Sequence, residues 1–259
     1  MRKTGANPMT RDPSDEHYVA TSNVVRMKRE IAEAAARRQQ QMAPPADVVV
    51  QLPEQPRAEK TNVWFTSDLH IGHANIINLC NRPFRNVDHM NEELVTRWNK
   101  RITDADVVFI LGDLALGKID ESLEWVKILL GRKMLVPGNH DRVWSGHPKK
   151  GKPVRPEDTA RYEAAGIYVM DEQIPYVTEP GAPVWTLCHF PDLGDSHDAD
   201  RFDAWRPAAP HKPNVIVHGH VHEKWVVNGP RINVGVDVWD FAPVHQDEVK
   251  KLTEAAWAK

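Results

Sequence analysis

Cysteine is nearly absent: the 259 residues contain two, Cys80 and Cys188, too few for a disulfide framework. Both are expected to be reduced thiols. Long apolar runs are missing as well. No stretch approaches the roughly 18 consecutive apolar residues that a membrane helix requires. The N-terminus, charged from Arg2 and Lys3, has no apolar signal-peptide core behind it. These absences predict a cytoplasmic protein with no membrane partner. A surplus of either charge is also lacking: 33 Lys and Arg stand against 36 Asp and Glu, so composition supplies no broad basic field for duplex nucleic acid. What is present, 41% hydrophobic and 27% charged residues, is enough for one sizeable core with some additional tail.

The first 58 residues read as an extension. Residues 1–21 are polar, aperiodic and broken by Pro8 and Pro13, which predicts disorder. Residues 22–41 turn to Ala, Arg, Gln and Glu, with Val24, Met27, Ile31 and Ala34 on one narrow stripe, and predict a helix. Such a stripe serves either to pack against a domain or to mediate self-association or partner binding. Pro44, Pro45, Pro53 and Pro56 then rule out a continuing helix, and the segment reads as a linker.

Residues 59–259 carry the pattern of a folded domain. Short apolar runs at 63–66, 107–111 and 134–136 alternate with helical spacing after Asp68, at 92–101 and at 120–130, which predicts an α/β domain with crossover connections. Further strands at 184–187, 215–217 and 232–234 have fewer helices between them and predict a mostly strand-built layer. No internal repeat interrupts this order.

Metal-capable residues recur at the C-terminal ends of these runs. Asp68 and His70 follow the first strand, Gly112-Asp113 the second, Gly138-Asn139-His140-Asp141 the third, His189 the fourth and His218-Gly219-His220-Val221-His222 the fifth. Strand-end loops are where α/β sheets hold ligand groups rigidly. Mixed imidazole and carboxylate suit first-row divalent ions, manganese foremost, with zinc, iron, nickel and cobalt as the others. One aspartate can bridge two such ions at about 3.5–4 Å, and Asp113 is the natural candidate. If the segments are extended, alternation aims Asp68 with His70, and His220 with His222, at one cluster and turns His218 away toward a structural role.

Asp68-Leu69-His70, Gly112-Asp113, Gly138-Asn139-His140-Asp141, His189 and Gly219-His220-Val221-His222 resemble, in order, the five motifs of the calcineurin-like metallophosphoesterases. The short bacterial and phage members are matched further by Ser67 to His73, Asn81-Arg82-Pro83-Phe84 and Asn233-Val234-Gly235-Val236-Asp237. The resemblance spans about Asn62 to Val244. It implies a β-sandwich of two mixed sheets flanked by helices, with a two-metal centre. One ion is then held by Asp68, His70, Asp113 and His222, the other by Asp113, Asn139, His189 and His220. His140 resembles the family's catalytic histidine, and Asp141 is expected to hydrogen-bond its imidazole. His73, Asn81, Arg82 and Arg142 are candidate substrate contacts.

The activity implied is hydrolysis of a small phosphate ester by metal-activated water, with His140 protonating the leaving group. A phosphodiesterase acting on linear or cyclic nucleotides is the leading reading. A phosphomonoesterase or a nuclease at the same site, and an interaction scaffold using the N-terminal helix, are its rivals. The stretch Phe190 to Lys212, with Asp192, Asp195, His197, Asp198 and Arg206, reads as a rim whose acidic groups disfavour large polyanions.

Overall fold

The computed structural model describes residues 24–31, 33, 61–146, 154–197, 199 and 201–257. The chain divides into units 1–52 and 53–259. In the first, residues 24–31 are helical, with Val24 and Met27 buried and Ile31 half-buried. Arg26 and Glu30 pair across one turn at 3.8 Å. The expectations of a disordered start, of a proline-rich linker and of the remainder of the helix over 22–41 lie outside the described residues.

In the second unit, β1 (Val63–Thr66), α1 (Ala74–Leu79), α2 (Val87–Arg101), β2 (Val107–Ile110), α3 (Ile119–Val126), β3 (Arg132–Leu135), α4 (Pro156–Ala164) and β4 (Ile167–Val169) come first. After them run β5 (Gln173–Tyr176), β6 (Trp185–Cys188), β7 (Val215–His218), β8 (Val227–Asn228), β9 (Arg231–Asn233), β10 (Val244–His245) and α5 (Gln246–Ala256). Two five-stranded sheets result, ordered β10-β1-β2-β3-β4 and β5-β6-β7-β9-β8. Both are mixed. In the first, β1 to β4 are parallel and β10 runs antiparallel to β1. In the second, β6, β7 and β9 are parallel, with β5 and β8 antiparallel at the edges.

Apolar side chains of both sheets meet in one core of Phe65, Leu111, Val136, Trp185, Leu187, Val217 and Val234, among others. Phe65 stands edge-on to Trp185 at 5.6 Å between ring centroids. Edge-to-face aromatic pairs add roughly 0.5–1.5 kcal/mol beyond the area they bury.

Two features of this frame place the site. Thr66, Ile110, Leu135 and Val169 are in register across β1 to β4, so the loops that follow these strands emerge at one edge. The two sheets are tied at that same edge, where Ser67 bridges Gly235 and the Val236 amide donates to the Ser67 carbonyl at 3.0 Å.

Several elements differ from the sequence reading. Helix α2 starts at Val87 rather than Glu92, because the Asn86 side chain caps it by accepting from the His89 amide at 2.9 Å. The short edge strands β4, β5, β8 and β10 lack an alternating pattern long enough to read. Helix α5 buries only Val249 and Thr253 on an otherwise charged surface, too sparse a stripe to stand out.

Candidate metal centre

The strand-end residues converge, although not by extended-chain alternation. Asp68, His70, Asp113, His220 and His222 have φ of 57°, 52°, 54°, 70° and 50°, in the left-handed region that non-glycine residues avoid. Each such residue costs on the order of 1–3 kcal/mol, a strain that clusters at functional sites. The expectation that residues two apart share a face is therefore corrected: a sharp left-handed turn at each position aims the side chain. Close packing also requires small neighbours. A Cβ on Gly112 would overlap the His189 ring, and one on Gly219 would overlap Ser67 and the Asp68 carboxylate.

Among the described residues, ligand-capable atoms gather in three overlapping groups: Asp68 with His70 and His222, Asp68 with Asp113 and His189, and Cys80 with His222 and Asp237. Asp68 is common to the first two, and Asp113 lies between their histidines. Its Oδ1 accepts from the His140 amide at 2.9 Å. Its Oδ2 lies 3.5 Å from both His70 Nε2 and His189 Nε2, one histidine from each expected ion set. Asn139 Oδ1 approaches His189 Nε2 at 3.1 Å. The His220 amide donates to Asp68 Oδ2 at 2.9 Å.

His70, His189 and His222 each have a second nitrogen engaged, the arrangement that sets tautomer and ring orientation in metal sites. His189 Nδ1 donates to the Leu111 carbonyl at 2.9 Å, so the lone pair is left on Nε2, facing the oxygens of Asn139 and Asp113. His70 Nδ1 meets His73 Nδ1 at 3.2 Å. His222 Nδ1 meets Asp237 Oδ2 at 3.1 Å, with its Nε2 turned toward Asp68 Oδ1 at 4.0 Å. His220 Nε2 stands 3.0 Å from Asp195 Oδ2, close but off the axis of an aligned hydrogen bond.

Asp68 Oδ1 and His70 Nε2 are buried without any partner. Buried acceptors and lone pairs pointed at one another, without donors between them, are costly. Divalent cations satisfy all of them together, so the residues fit the expected two-ion centre. The electrostatics agree at His70 and His220 and run the other way at His222. Burial, reinforced by His222 and Arg82, holds the His70 imidazolium well below its usual range, in the neutral ligand form. Burial lowers His220 to about 4. Burial works against protonation of His222, but the Asp68 and Asp237 carboxylates outweigh it and raise that group.

Among the proposed catalytic residues, the His140 side chain is 44% exposed with Nε2 4.0 Å from Asp113 Oδ2, at the mouth of the centre. Asp141 is not its partner. The Asp141 carboxylate is fully buried and accepts from the amides of Asp113 (2.8 Å), Gly138 (2.9 Å) and Leu114 (3.1 Å). It staples the two loops that present Asp113 and Asn139. Burial and the Asp113 charge push its carboxyl up to about 7.

The expected substrate contacts are mostly redirected. Arg82 is buried, forks onto Asp237 at 2.7 and 2.8 Å and donates to the carbonyls of Leu69 and Asp68. It secures the ligand loop and cannot reach a substrate. Asn81 is exposed with φ 48° just past α1, where the Arg82 amide bonds back to the Ile77 carbonyl, an end position that favours Asn. Arg142 leans toward Asp158 at 4.0 Å. His73 borders the centre, its ring 6.3 Å from that of His140. His218 is buried, its Nδ1 bonded to the Gly219 carbonyl at 2.7 Å.

The acidic rim is also revised. Asp192 forks with Arg231 at 2.6 and 2.7 Å, and Asp195 is enclosed by Arg201 and Arg206. Neither presents a free negative charge, so these two groups do not repel polyanions as expected. Asp198 lies outside the described residues. Asp195 and Asp237 are the site residues that the sequence reading assigned no such role. A solitary carboxylate in the apolar run Val234 to Val238 marks Asp237, whereas Asp195 is indistinguishable among its acidic neighbours.

Comparison with known proteins places this geometry. The uncharacterised protein MJ1445 of Methanocaldococcus jannaschii is 33% identical over 201 residues, covering 74% of this chain and 91% of that protein. The gene 66 protein of Mycobacterium phage D29 is 34% identical over 207 residues, covering 74% and 96%. The structure of AQ665 from Aquifex aeolicus, a protein of unknown function, superposes with a TM-score of 0.51 at 25% identity, covering 74% of this chain and 99% of that one. Residues 61–224, more than half of the chain, match the family model described as Calcineurin-like phosphoesterase. The chain belongs to the calcineurin-like phosphoesterases, metal-dependent hydrolases of phosphoric esters.

Proposed function

We propose that this phosphoesterase is a phosphodiesterase acting on small phosphodiesters, with linear or cyclic nucleotides as the substrate class. The observation that carries the reading is the commitment of the arginines around the centre. Arg82 is bound to Asp237, Arg201 and Arg206 enclose Asp195, and Arg231 holds Asp192, while Arg142 stands 4.0 Å from an Asp158 already paired with Arg155 and Arg161. A phosphomonoester carries a second negative charge that a guanidinium fork suits. A diester carries one, which the ions and the imidazoles at the mouth can match.

Two divalent ions, manganese by preference, supply Lewis acidity and a water nucleophile at neutral pH when bound. The chain's own residues do the rest. Asp68, His70, Asp113 and His222 hold one position, and Asp113, Asn139, His189 and His220 the other. His140, exposed and beside Asp113, donates to the phosphoryl oxygens and delivers a proton to the leaving alkoxide, a contribution of about 10²–10⁴ in rate. His73 orients His70. The buried Asp141 and Arg82 keep the loops in place, so little reorganisation accompanies the reaction.

The test is hydrolysis of an aryl phosphate diester and the matching monoester by metal-stripped protein, with Mn, Zn, Ni and Mg restored separately. Turnover of the diester well above the monoester supports the reading. A monoester preference with the same ions overturns it in favour of a phosphomonoesterase.

A further inference from the structure

His220 and His222 are next-but-one neighbours, and each leads to a buried carboxylate that an arginine holds. The chain His222, Asp237, Arg82 closes on one side. On the other, Asp195 lies 3.0 Å from His220 Nε2, and its side chain is wholly buried. Asp195 sits between β6 and β7, and its fixation is thorough. Oδ1 accepts from the His197 amide at 3.1 Å and from Arg201 Nη2 at 2.9 Å. Oδ2 accepts from the Arg201 amide at 3.1 Å and from Arg206 Nη2 at 3.0 Å. Arg206 is itself anchored by the carbonyls of Pro191, Gly194 and Arg201, each at 2.8 Å. So many donors on one short loop serve to hold a carboxylate still.

What the carboxylate faces gives the fixation its purpose. An ionised carboxylate only accepts, so although Nε2 is not aligned for a hydrogen bond in this structure, the ring nitrogen 3.0 Å from it is the one that carries the proton. That leaves Nδ1 as the one lone pair of His220. The ring plane is held as well, with Phe190 and Phe202 at 4.8 and 6.0 Å from it and the His189 ring at 5.1 Å on the side of the centre. We infer that Asp195 is a positioning residue for the second ion: it selects the Nδ1-coordinating tautomer of His220 and makes that imidazole a stronger donor. The inference rests on the two-ion reading of this site. It assigns the 190–206 segment to the metal centre rather than to a substrate lid.

The experiment measures manganese, with no substrate present. Wild type, Asp195→Ala, Asp195→Asn and Asp192→Ala are loaded at free Mn²⁺ set by a chelator buffer. Metal per chain, the electron paramagnetic resonance spectrum and the melting temperature are recorded for each. Wild type is expected to bind two ions with a spin-coupled spectrum. Asp195→Ala is expected to keep one tight ion, to show the isolated six-line signal, and to lose affinity at the second position by about 10–100-fold. Asp195→Asn falls between, because its amide oxygen can face Nε2–H without the charge. Asp192→Ala loosens the same segment through its Arg231 pair and keeps both ions. If the alanine variant does not fold, the asparagine variant carries the comparison, and wild-type affinity in it overturns the inference. So does an Asp195→Ala protein that binds both ions normally, or loses both in step with its melting temperature. Fewer than two ions on the wild type overturns the two-ion reading itself.

Discussion

Arg82 and Asp237, 155 residues apart in the chain, meet in a buried bidentate ion pair with Nε–Oδ1 2.7 Å and Nη2–Oδ2 2.8 Å. The same carboxylate receives His222 Nδ1, and the same guanidinium holds the carbonyls of Leu69 and Asp68. One pair therefore links the first ligand loop to the last. Lysine keeps the charge but cannot fork in this way, so Arg82→Lys is expected to destabilise the protein by about 1–3 kcal/mol through the buried acceptors left unpaired. Urea unfolding and metal content should both fall, with KM of the remaining active fraction unchanged. A raised KM at normal stability would return Arg82 to the substrate.

Asp141 and His140 are adjacent in sequence and separable in effect. Asp141→Asn replaces an acceptor for three amides with a group that also carries donors, at about 1–3 kcal/mol for each amide left unpaired. Lower stability and weaker metal retention are expected together. Thermal unfolding with and without added Mn²⁺ measures both.

His140→Ala, by contrast, removes an exposed imidazole that supports no loop. The expected result is a normal melting temperature, two ions per chain, and kcat reduced by about 10²–10⁴. Loss of metal in this variant would make His140 a ligand instead.

The left-handed backbone at five ligand positions and the unpartnered Asp68 Oδ1 imply that metal contributes heavily to stability. An ion present at 1,000 times its Kd adds about 4 kcal/mol. Chelation should lower the melting temperature by many degrees, and Mn²⁺ should restore it reversibly.

Asp106 gives a pH signature remote from the centre. Burial alone would raise its carboxyl, but donors from Thr103 and Asn62 outweigh burial and hold it below the usual range. The unfolded chain therefore takes up this proton first as pH falls. The stabilisation is fully present above the ordinary carboxylate pKa of about 3.9 and is lost as pH falls through the lower folded value. Asp106→Asn should lower the urea midpoint at pH 7 and show less difference from wild type near pH 3.

Much of this was legible without coordinates. Strands β1, β2, β3, β6, β7 and β9 announce themselves as apolar runs, and metal-capable residues stand just beyond the first five of them. A strand end is a local event, so composition and order suffice to find it. The chemistry of the ligand set is equally local, because imidazole, carboxylate and amide oxygens are identities rather than positions.

Tertiary structure alone decided the roles of the supporting groups. Arg82 looked like a phosphate fork and turned inward, because Asp237 reaches it from the far end of the chain. Asp141 looked like a partner for its neighbour and instead binds amides on the Asp113 loop, since a buried carboxylate goes where donors lack acceptors. Asp195 looked like one acid among several and comes within 3.0 Å of His220 Nε2. The sequence by itself determined which residue types are available to hold metals and where along the chain they occur. Their aim, their tautomers and their strained turns depend on contacts between segments far apart in sequence, and only the folded arrangement supplies those.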